Sequence, residues 1–149
     1  MRCAPILLLA LFIGCAGPQQ TAGVDDAAAP AKAQTVTVTT GMEPDEAYRT
    51  LASELQRRGF SLRSSDATLR SVTTDGQTMS EGGFVYELRM AGSVSAEGRT
   101  TVRAWYRVPS FDDTERPVEK TGMEGSVPRR AWAHLHGTAE TLGTDPVYD

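Results

Sequence analysis

Two segments in the second half of the chain alternate between apolar and polar side chains, and this alternation constrains the fold more than any other sequence feature. They cover residues 84–91 and 100–108 and are separated by a turn at Glu97 and Gly98. A period of two residues is typical of a strand that buries one face, so the sequence predicts an antiparallel hairpin. The buried face is predicted to carry Phe84, Tyr86, Leu88, Met90, Val102, Ala104, Tyr106 and Val108, and the outer face Glu87, Arg89, Arg103, Trp105 and Arg107.

Further strands are predicted before the hairpin. The β-branched run over residues 35–40 is typical of a half-buried strand. After residue 59 the period changes from that of a helix to that of a strand, and residues 60–63 and 69–72 predict two short strands around a polar turn.

Two helices are predicted from apolar residues that recur at spacings of three and four. The first begins at Pro44 and ends at Arg58, because proline is favoured at the first helical position and Gly59 is a typical helix stop. The second runs from about Pro128 to Leu142, with Ser126 as its predicted cap.

The predicted element order is therefore β-α-β-β-β-β-α, which indicates an α+β domain. We expect a mostly antiparallel sheet of about 4 to 5 strands with both helices on one face, in a two-layer sandwich. Residues 109–125 are polar and lack periodicity, so they predict an irregular connection. If the sheet curls around the last helix, this order resembles that of helix-grip domains, a shape found in some outer-membrane assembly lipoproteins and in lipid-carrying proteins.

The amino terminus is typical of an export signal. One arginine precedes an apolar run over residues 6–13, which is too short to span the hydrocarbon core of about 30 Å as a permanent helix. The run ends in Phe12-Ile13-Gly14-Cys15, which resembles the lipobox of bacterial lipoproteins, with Phe12 where Leu is usual. This resemblance implies that residues 1–14 are a signal peptide and that Cys15 carries two or three acyl chains, such as palmitate.

The resemblance also implies a location. Two or more acyl chains hold a protein stably in a lipid bilayer. Ala16 follows Cys15, whereas Asp at this position favours retention in the inner membrane. We therefore expect a lipid-anchored protein of the cell envelope, at the outer membrane and facing the periplasm. An ordinary secretory signal, or an uncleaved anchor with an incidental cysteine, is the alternative.

The rest of the chain divides into a linker and one domain. Residues 15–34 are rich in Ala, Gly, Pro and Gln and predict a flexible linker, and residues 35–149 predict a single α+β domain. The two cysteines, Cys3 and Cys15, both precede this domain. Disulfides, thiol catalysis and cysteine-ligated zinc are therefore excluded from it.

Composition narrows the range of partners. Hydrophobic residues make up 40% of the chain and charged residues 23%, as in globular proteins. The formal net charge is -4. Nucleic acid is therefore not expected as a partner, because its binding needs basic residues set against phosphates.

The sequence carries no recognisable catalytic or metal-binding motif. His134 and His136 are two residues apart on a predicted helix, so their side chains point about 200 degrees apart and share no metal-binding face. No serine motif typical of hydrolases is present. We expect no enzymatic activity, no metal and no cofactor. Five acidic residues of the predicted connection lack the spacing of a calcium loop; they are Asp112, Asp113, Glu115, Glu119 and Glu124.

The outer face of the hairpin is the candidate contact surface. Trp105 lies there among Arg89, Arg103 and Arg107, and tryptophan and arginine are enriched at interface hot spots. The partner would be another envelope protein or an anionic glycan. The alternative is a solvated face on which Glu87 pairs with Arg103 and on which arginine stems or the long connection cover Trp105.

Three functional hypotheses follow, and the least favoured is an enzyme with dispersed active-site residues, which convergent polar groups in a pocket would support. The first is a membrane-anchored envelope lipoprotein that acts as a structural or protein-interaction module. The second is a periplasmic carrier of an apolar ligand, in a helix-grip-like cavity lined by Tyr86, Met90, Tyr106 and Trp132. A packed core would count against the carrier, whereas a continuous apolar cavity would favour it.

Overall fold

The computed structural model describes residues 29–149, so the predicted signal peptide, the lipobox with Cys15 and most of the predicted linker lie outside the described residues. The described chain forms eight strands and two helices, which confirms the α+β class and shows that the expected count of four to five strands was wrong. The elements are β1 (Thr35–Thr39), α1 (Pro44–Arg57), β2 (Leu62–Asp66), β3 (Ser71–Thr74), β4 (Gln77–Glu81), β5 (Phe84–Val94), β6 (Arg99–Val108), β7 (Asp112–Pro117), α2 (Val127–Leu142) and β8 (Thr144–Tyr148).

Three peripheral strands escaped prediction because they carry little apolar side-chain surface. β4 contains one large apolar residue, Met79, while β7 lies in the segment that was predicted to be irregular, and β8 includes Pro146. Each pairs along one side with a strand that is itself well buried: β4 with β5, β7 with β6, and β8 with β1. Backbone hydrogen bonds to a neighbouring strand, rather than burial of their own side chains, therefore place these strands.

The sheet is built around the predicted hairpin of β5 and β6, and all of its strand pairs are antiparallel. The strand order is β2-β3-β5-β6-β1-β8, while β4 and β7 extend the other ends of β5 and β6. We call residues 91–94 and 99–103 the broad half of the hairpin, because β3 and β1 flank them and continue into further strands. Residues 84–89 and 105–108 form the narrow half, flanked only by β4 and β7.

Both helices cover the same face of the sheet, and the core lies between the two layers. In the hairpin Tyr86, Leu88 and Met90 are fully buried, whereas the residues that alternate with them are not. Leu51 of α1 packs so closely on Gly92 that a Cβ atom there would lie 2.8 Å from Cδ2 of Leu51. The predicted inward face is therefore correct for most of its length, but Phe84, at the end of the narrow half, is 47% exposed.

Glu54 joins the two helices. Its carboxylate accepts hydrogen bonds from Arg57 and Arg58 of the first helix and from Thr141 of the second, at 2.7 to 3.0 Å. Arg58 also donates to the carbonyl of Gly137 at 2.7 Å. Burial alone would raise the pKa of Glu54, but these hydrogen bonds outweigh it and lower the pKa from 4.5 to about 2.

The helix ends follow the predicted signals in all but one respect. Pro44 stands in the first turn of α1, and Gly59 follows the helix in the left-handed conformation, with φ of 90°. Ser126 precedes α2 as predicted, but its side chain makes no capping hydrogen bond. Its hydroxyl oxygen is buried without a partner in the described part of the chain, and only its carbonyl bonds to the helix, by accepting from Arg130 at 3.0 Å.

Candidate functional site

The strand register places the four predicted contact residues on the outer face of the hairpin. Arg89 lies directly opposite Trp105, and two residue pairs further towards the end of the narrow half, on the same face, Glu87 lies opposite Arg107. Arg103 lies opposite Ala91, on the other side of Trp105. The alternation of β5 and β6 thus brings one indole and three guanidinium groups onto three adjacent rungs of the same face.

Two arginines lie over the ring of Trp105. The guanidinium carbon of Arg89 lies 5.1 Å from the centre of the indole ring and that of Arg103 lies 5.5 Å from it. Both distances are within the range of a cation–π interaction. Because its ring is only partly buried, Trp105 presents an ordered aromatic edge to solvent.

Carboxylates bind two of these arginines. Arg89 forms a 2.8 Å ion pair with Glu115, and Arg107 pairs with Glu87 and Asp113, also at 2.8 Å. The hydrogen bond to Glu87, followed by the charge of Asp113, raises the pKa of Arg107. The expectation that Glu87 pairs with Arg103 was wrong, because the register sets Glu87 opposite Arg107.

These residues line a groove of about 310 Å³ on the outer face. Its charges nearly cancel, since three arginines and three carboxylates line it. Arg103, which stacks on Trp105 at the side of the groove, faces no carboxylate within ion-pair distance in residues 29–149. The groove is lined by Arg63, Gly76, Glu87, Arg89, Trp105, Arg107, Asp113 and Glu115.

Sequence reasoning missed the part of the groove that comes from outside the hairpin. Asp113 and Glu115 belong to β7, which pairs with β6 through Trp105 and Tyr106. Their alternation with Asp112 and Thr114 has the period of a strand, and this was the signal that would have placed both on one face. Arg63, in β2, carried no such signal.

Four of the five acidic residues considered as metal ligands have other partners. Asp112 accepts from Thr114 and Arg116, Asp113 and Glu115 pair with groove arginines, and Glu119 accepts from Gln34 at 2.6 Å. Within residues 29–149, no three His, Cys, Asp or Glu side chains come together as a metal site would require.

The two histidines lie on different flanks of α2. The Nε2 atom of His134 lies 2.7 Å from a carboxylate oxygen of Glu81 in β4. His136 is buried and stacks on Tyr148, with its Nε2 atom 2.8 Å from the phenol oxygen. Their separation agrees with the angle that was predicted from their spacing.

The side chains named for a ligand cavity belong mainly to the packed core. Tyr86, Met90 and Trp132 are at most 1% exposed and lie in one hydrophobic cluster. Tyr106 is only partly buried and lines a groove of about 250 Å³ between β7 and the start of α2. These positions therefore lend the carrier hypothesis no particular support.

The groove around Trp105 is thus the candidate site, and its character follows from its own residues. Its aromatic centre and alternating charges suit recognition of another surface. No helix in residues 29–149 has the length and apolarity needed to cross a membrane. Comparison with protein-family models and with curated protein sequences finds no match for the chain.

Proposed function

We propose that the protein is a bacterial envelope lipoprotein, anchored in the outer membrane through acylated Cys15, whose domain is a protein-interaction module facing the periplasm. The contact surface is the outer face of the hairpin around Trp105. The observation that carries the contact surface is the indole of Trp105 with Arg89 and Arg103 over its ring, at the side of a groove. The anchor is supported by the lipobox-like segment that ends at Cys15.

The charge pattern favours a protein over an anionic glycan as the partner. A glycan carrying many negative charges needs a surface with uncompensated positive charge. In the groove Glu87, Asp113 and Glu115 already neutralise Arg89 and Arg107. A protein surface of mixed charge matches this pattern better, with Trp105 as the apolar anchor and Arg103 available for a carboxylate of the partner.

The lipid anchor is tested by the intact mass of the detergent-extracted protein. We expect a mature chain that begins at Cys15 and carries two or three acyl chains. The Cys15→Ala variant should lack them and should be released from membranes. An unmodified, freely soluble product of the wild-type gene would refute the anchor.

The contact surface is tested by photocrosslinking in cells, with a photoreactive amino acid placed at Arg63, an exposed position that lines the groove. We expect crosslinks to a discrete protein, and we expect Trp105→Ala to reduce them about tenfold or more, as for a central hot spot. The matched control places the same amino acid at Leu69, which is 70% exposed and lies beyond the other end of the sheet. Equal crosslinking from both positions, or crosslinking to glycan, would contradict the proposal.

A further inference from the structure

Two turns at the free end of the narrow half expose apolar side chains. Phe84 and Val85 follow the β4–β5 turn and are 47% and 51% exposed, and Phe111, in the β6–β7 turn, is 86% exposed. Residues 82–85 and 108–111 contain no charged residue. Single exposed apolar residues are common on protein surfaces, but a cluster of them without charge marks an interaction surface.

The hairpin register brings both turns to the same end of the domain. The last paired rung of β5 and β6 joins Glu87 to Arg107. Because the strands are antiparallel, Phe84 lies three residues beyond this rung on one strand, while Phe111 lies in the turn that follows the other. We call these two turns, with Phe84, Val85 and Phe111, the apolar tip.

The backbone of the apolar tip is held in place. Gly82 and Gly83 have φ of 57° and 82°, as a two-residue hairpin turn requires. Gly82 packs closely against the guanidinium of Arg130. In the other turn, the amide of Phe111 donates to the carbonyl of Val108 at 2.9 Å. The exposed side chains are thus carried on ordered turns, which lowers the entropy cost of binding.

The opposite end of the domain differs in character. There Leu69 is exposed, but its turn is built on charged neighbours. The carboxylate of Asp66 accepts from the backbone amides of Thr68 and Leu69, and Arg70 pairs with Asp45 at 2.6 Å. The turn segments of the apolar tip, residues 82–85 and 108–111, thus contain no charged residue, whereas the turn at the opposite end includes Arg70.

The amino-terminal chain joins the sheet near the apolar tip. A membrane that anchors this chain is therefore within reach of the apolar tip. Lys120 binds the carbonyls of Ala29 and Ala33, and the amide of Val118 donates to Ala104. The chain therefore joins the sheet beside Ala104, about 14 Å from Val108 along β6. Residues 15–28 span at most about 50 Å.

We propose that the apolar tip contacts the surface of the lipid bilayer, with Phe84, Val85 and Phe111 at the boundary between headgroups and acyl chains. This proposal rests on the lipid anchor proposed above. Aromatic side chains favour that boundary. The anchor also raises the effective concentration of the apolar tip at the bilayer, so that a weak contact suffices. Such contact fixes the orientation of the hairpin relative to the bilayer. The groove around Trp105 then lies on a side face of the domain, where a protein can reach it.

The test uses the mature, acylated full-length protein in phosphatidylcholine vesicles that contain nitroxide-labelled lipid. A fluorophore is attached through Ser110→Cys at the apolar tip or through Ala96→Cys in the turn at the opposite end of the hairpin, both exposed positions. Labelling is selective because the described domain contains no cysteine and acylation blocks the thiol of Cys15. We expect the lipid to quench the Ser110→Cys label about twofold more strongly than the Ala96→Cys label.

A second variant links the quenching to the aromatic side chains. Adding Phe84→Ser and Phe111→Ser to Ser110→Cys should lower its quenching to the Ala96→Cys level while the protein still floats with the vesicles. Acylated protein that floats but shows equal quenching at both positions would overturn the membrane contact alone. If Ser110→Cys crosslinks two copies of the protein and its label is not quenched, the apolar tip binds a second copy of the chain and the membrane contact is overturned. Protein without acyl chains would overturn the anchor and this arrangement together.

Discussion

The two halves of one hairpin carry different outer faces although the same two strands run through both. In the broad half the outer face bears Arg99 and Arg103 at its two ends and small side chains such as Ala91, Ser93 and Thr101 between them. The hydroxyls of Thr37 and Thr101 lie 2.9 Å apart. In the narrow half it bears Trp105 among charged side chains. The broad half is flanked by two further strands on each side, whereas the narrow half has one on each side.

On the outer face, this difference separates side chains enclosed by neighbouring strands from those available for contact, whereas the inner faces of both halves belong to the core. The broad half packs against α1 through Leu51 and Gly92 and sits in the widest part of the sheet. The narrow half carries the apolar tip and the groove around Trp105, and Arg103 flanks this groove at the edge of the broad half. Substitutions test this separation: those in or under the broad half should affect stability, and those on the outer face of the narrow half should affect contact.

The largest effect is expected when an apolar side chain is removed from the core under the broad half. Leu51→Ala should lower the free energy of unfolding by about 2–5 kcal/mol, because it leaves a cavity above Gly92. Phe111→Ala, the matched change at the apolar tip, should alter it by no more than about 0.5 kcal/mol. Denaturant titration of both variants measures the contrast, and similar losses would show that the narrow half also stabilises the fold.

An intermediate effect is expected at the junction of the helices. Glu54→Gln should lower the free energy of unfolding by about 1 kcal/mol. This is near the low end for a hydrogen bond to a charged group, because Arg57 is exposed to solvent. Since folding lowers the pKa of Glu54 from 4.5 to about 2, its contribution is present above pH 4.5 and is lost as the pH falls towards 2.

Denaturation at a series of pH values tests this dependence. The wild-type protein should lose stability more steeply than Glu54→Gln between about pH 4.5 and 2. Glu46→Gln, at an exposed position in the first turn of α1, is the control and should retain the wild-type slope. Parallel curves for all three proteins would contradict the assigned role of Glu54.

The smallest effect on stability is expected on the outer face of the narrow half. Arg107→Gln removes the ion pairs with Glu87 and Asp113, but the site is open to solvent, where such pairs contribute little. We expect no measurable shift in the denaturation midpoint and a reduced crosslinking yield from the photoreactive group at Arg63. A clear loss of stability would instead assign this face a structural role.

Much of this fold was predictable because its central elements bury one face. The periods of β5, β6, α1 and α2 follow from burial, and all four elements were predicted. The segment Asp112–Pro117 was not, because it buries little and depends on hydrogen bonds to β6 for its strand conformation. Such pairing between distant residues leaves a weak trace in local sequence.

The candidate site was predictable only in part, because it also depends on pairing between distant strands. The positions of Arg89, Arg103 and Trp105 on one face followed from alternation within the hairpin. Their carboxylate partners did not, because Asp113 and Glu115 reach the face only through the pairing of β7. The nearly balanced charge of the groove, which favours a protein partner, was therefore visible only in the folded chain.

The position of β1 has a mechanical consequence. This strand follows the amino-terminal chain directly and lies between β6 and β8. In antiparallel sheets the hydrogen bonds run perpendicular to the strands, so a pull on the amino terminus acts along β1 and across the bonds on both sides. The bonds are then loaded together in shear rather than opened one by one, and a domain attached in this way resists extraction by force along its tether.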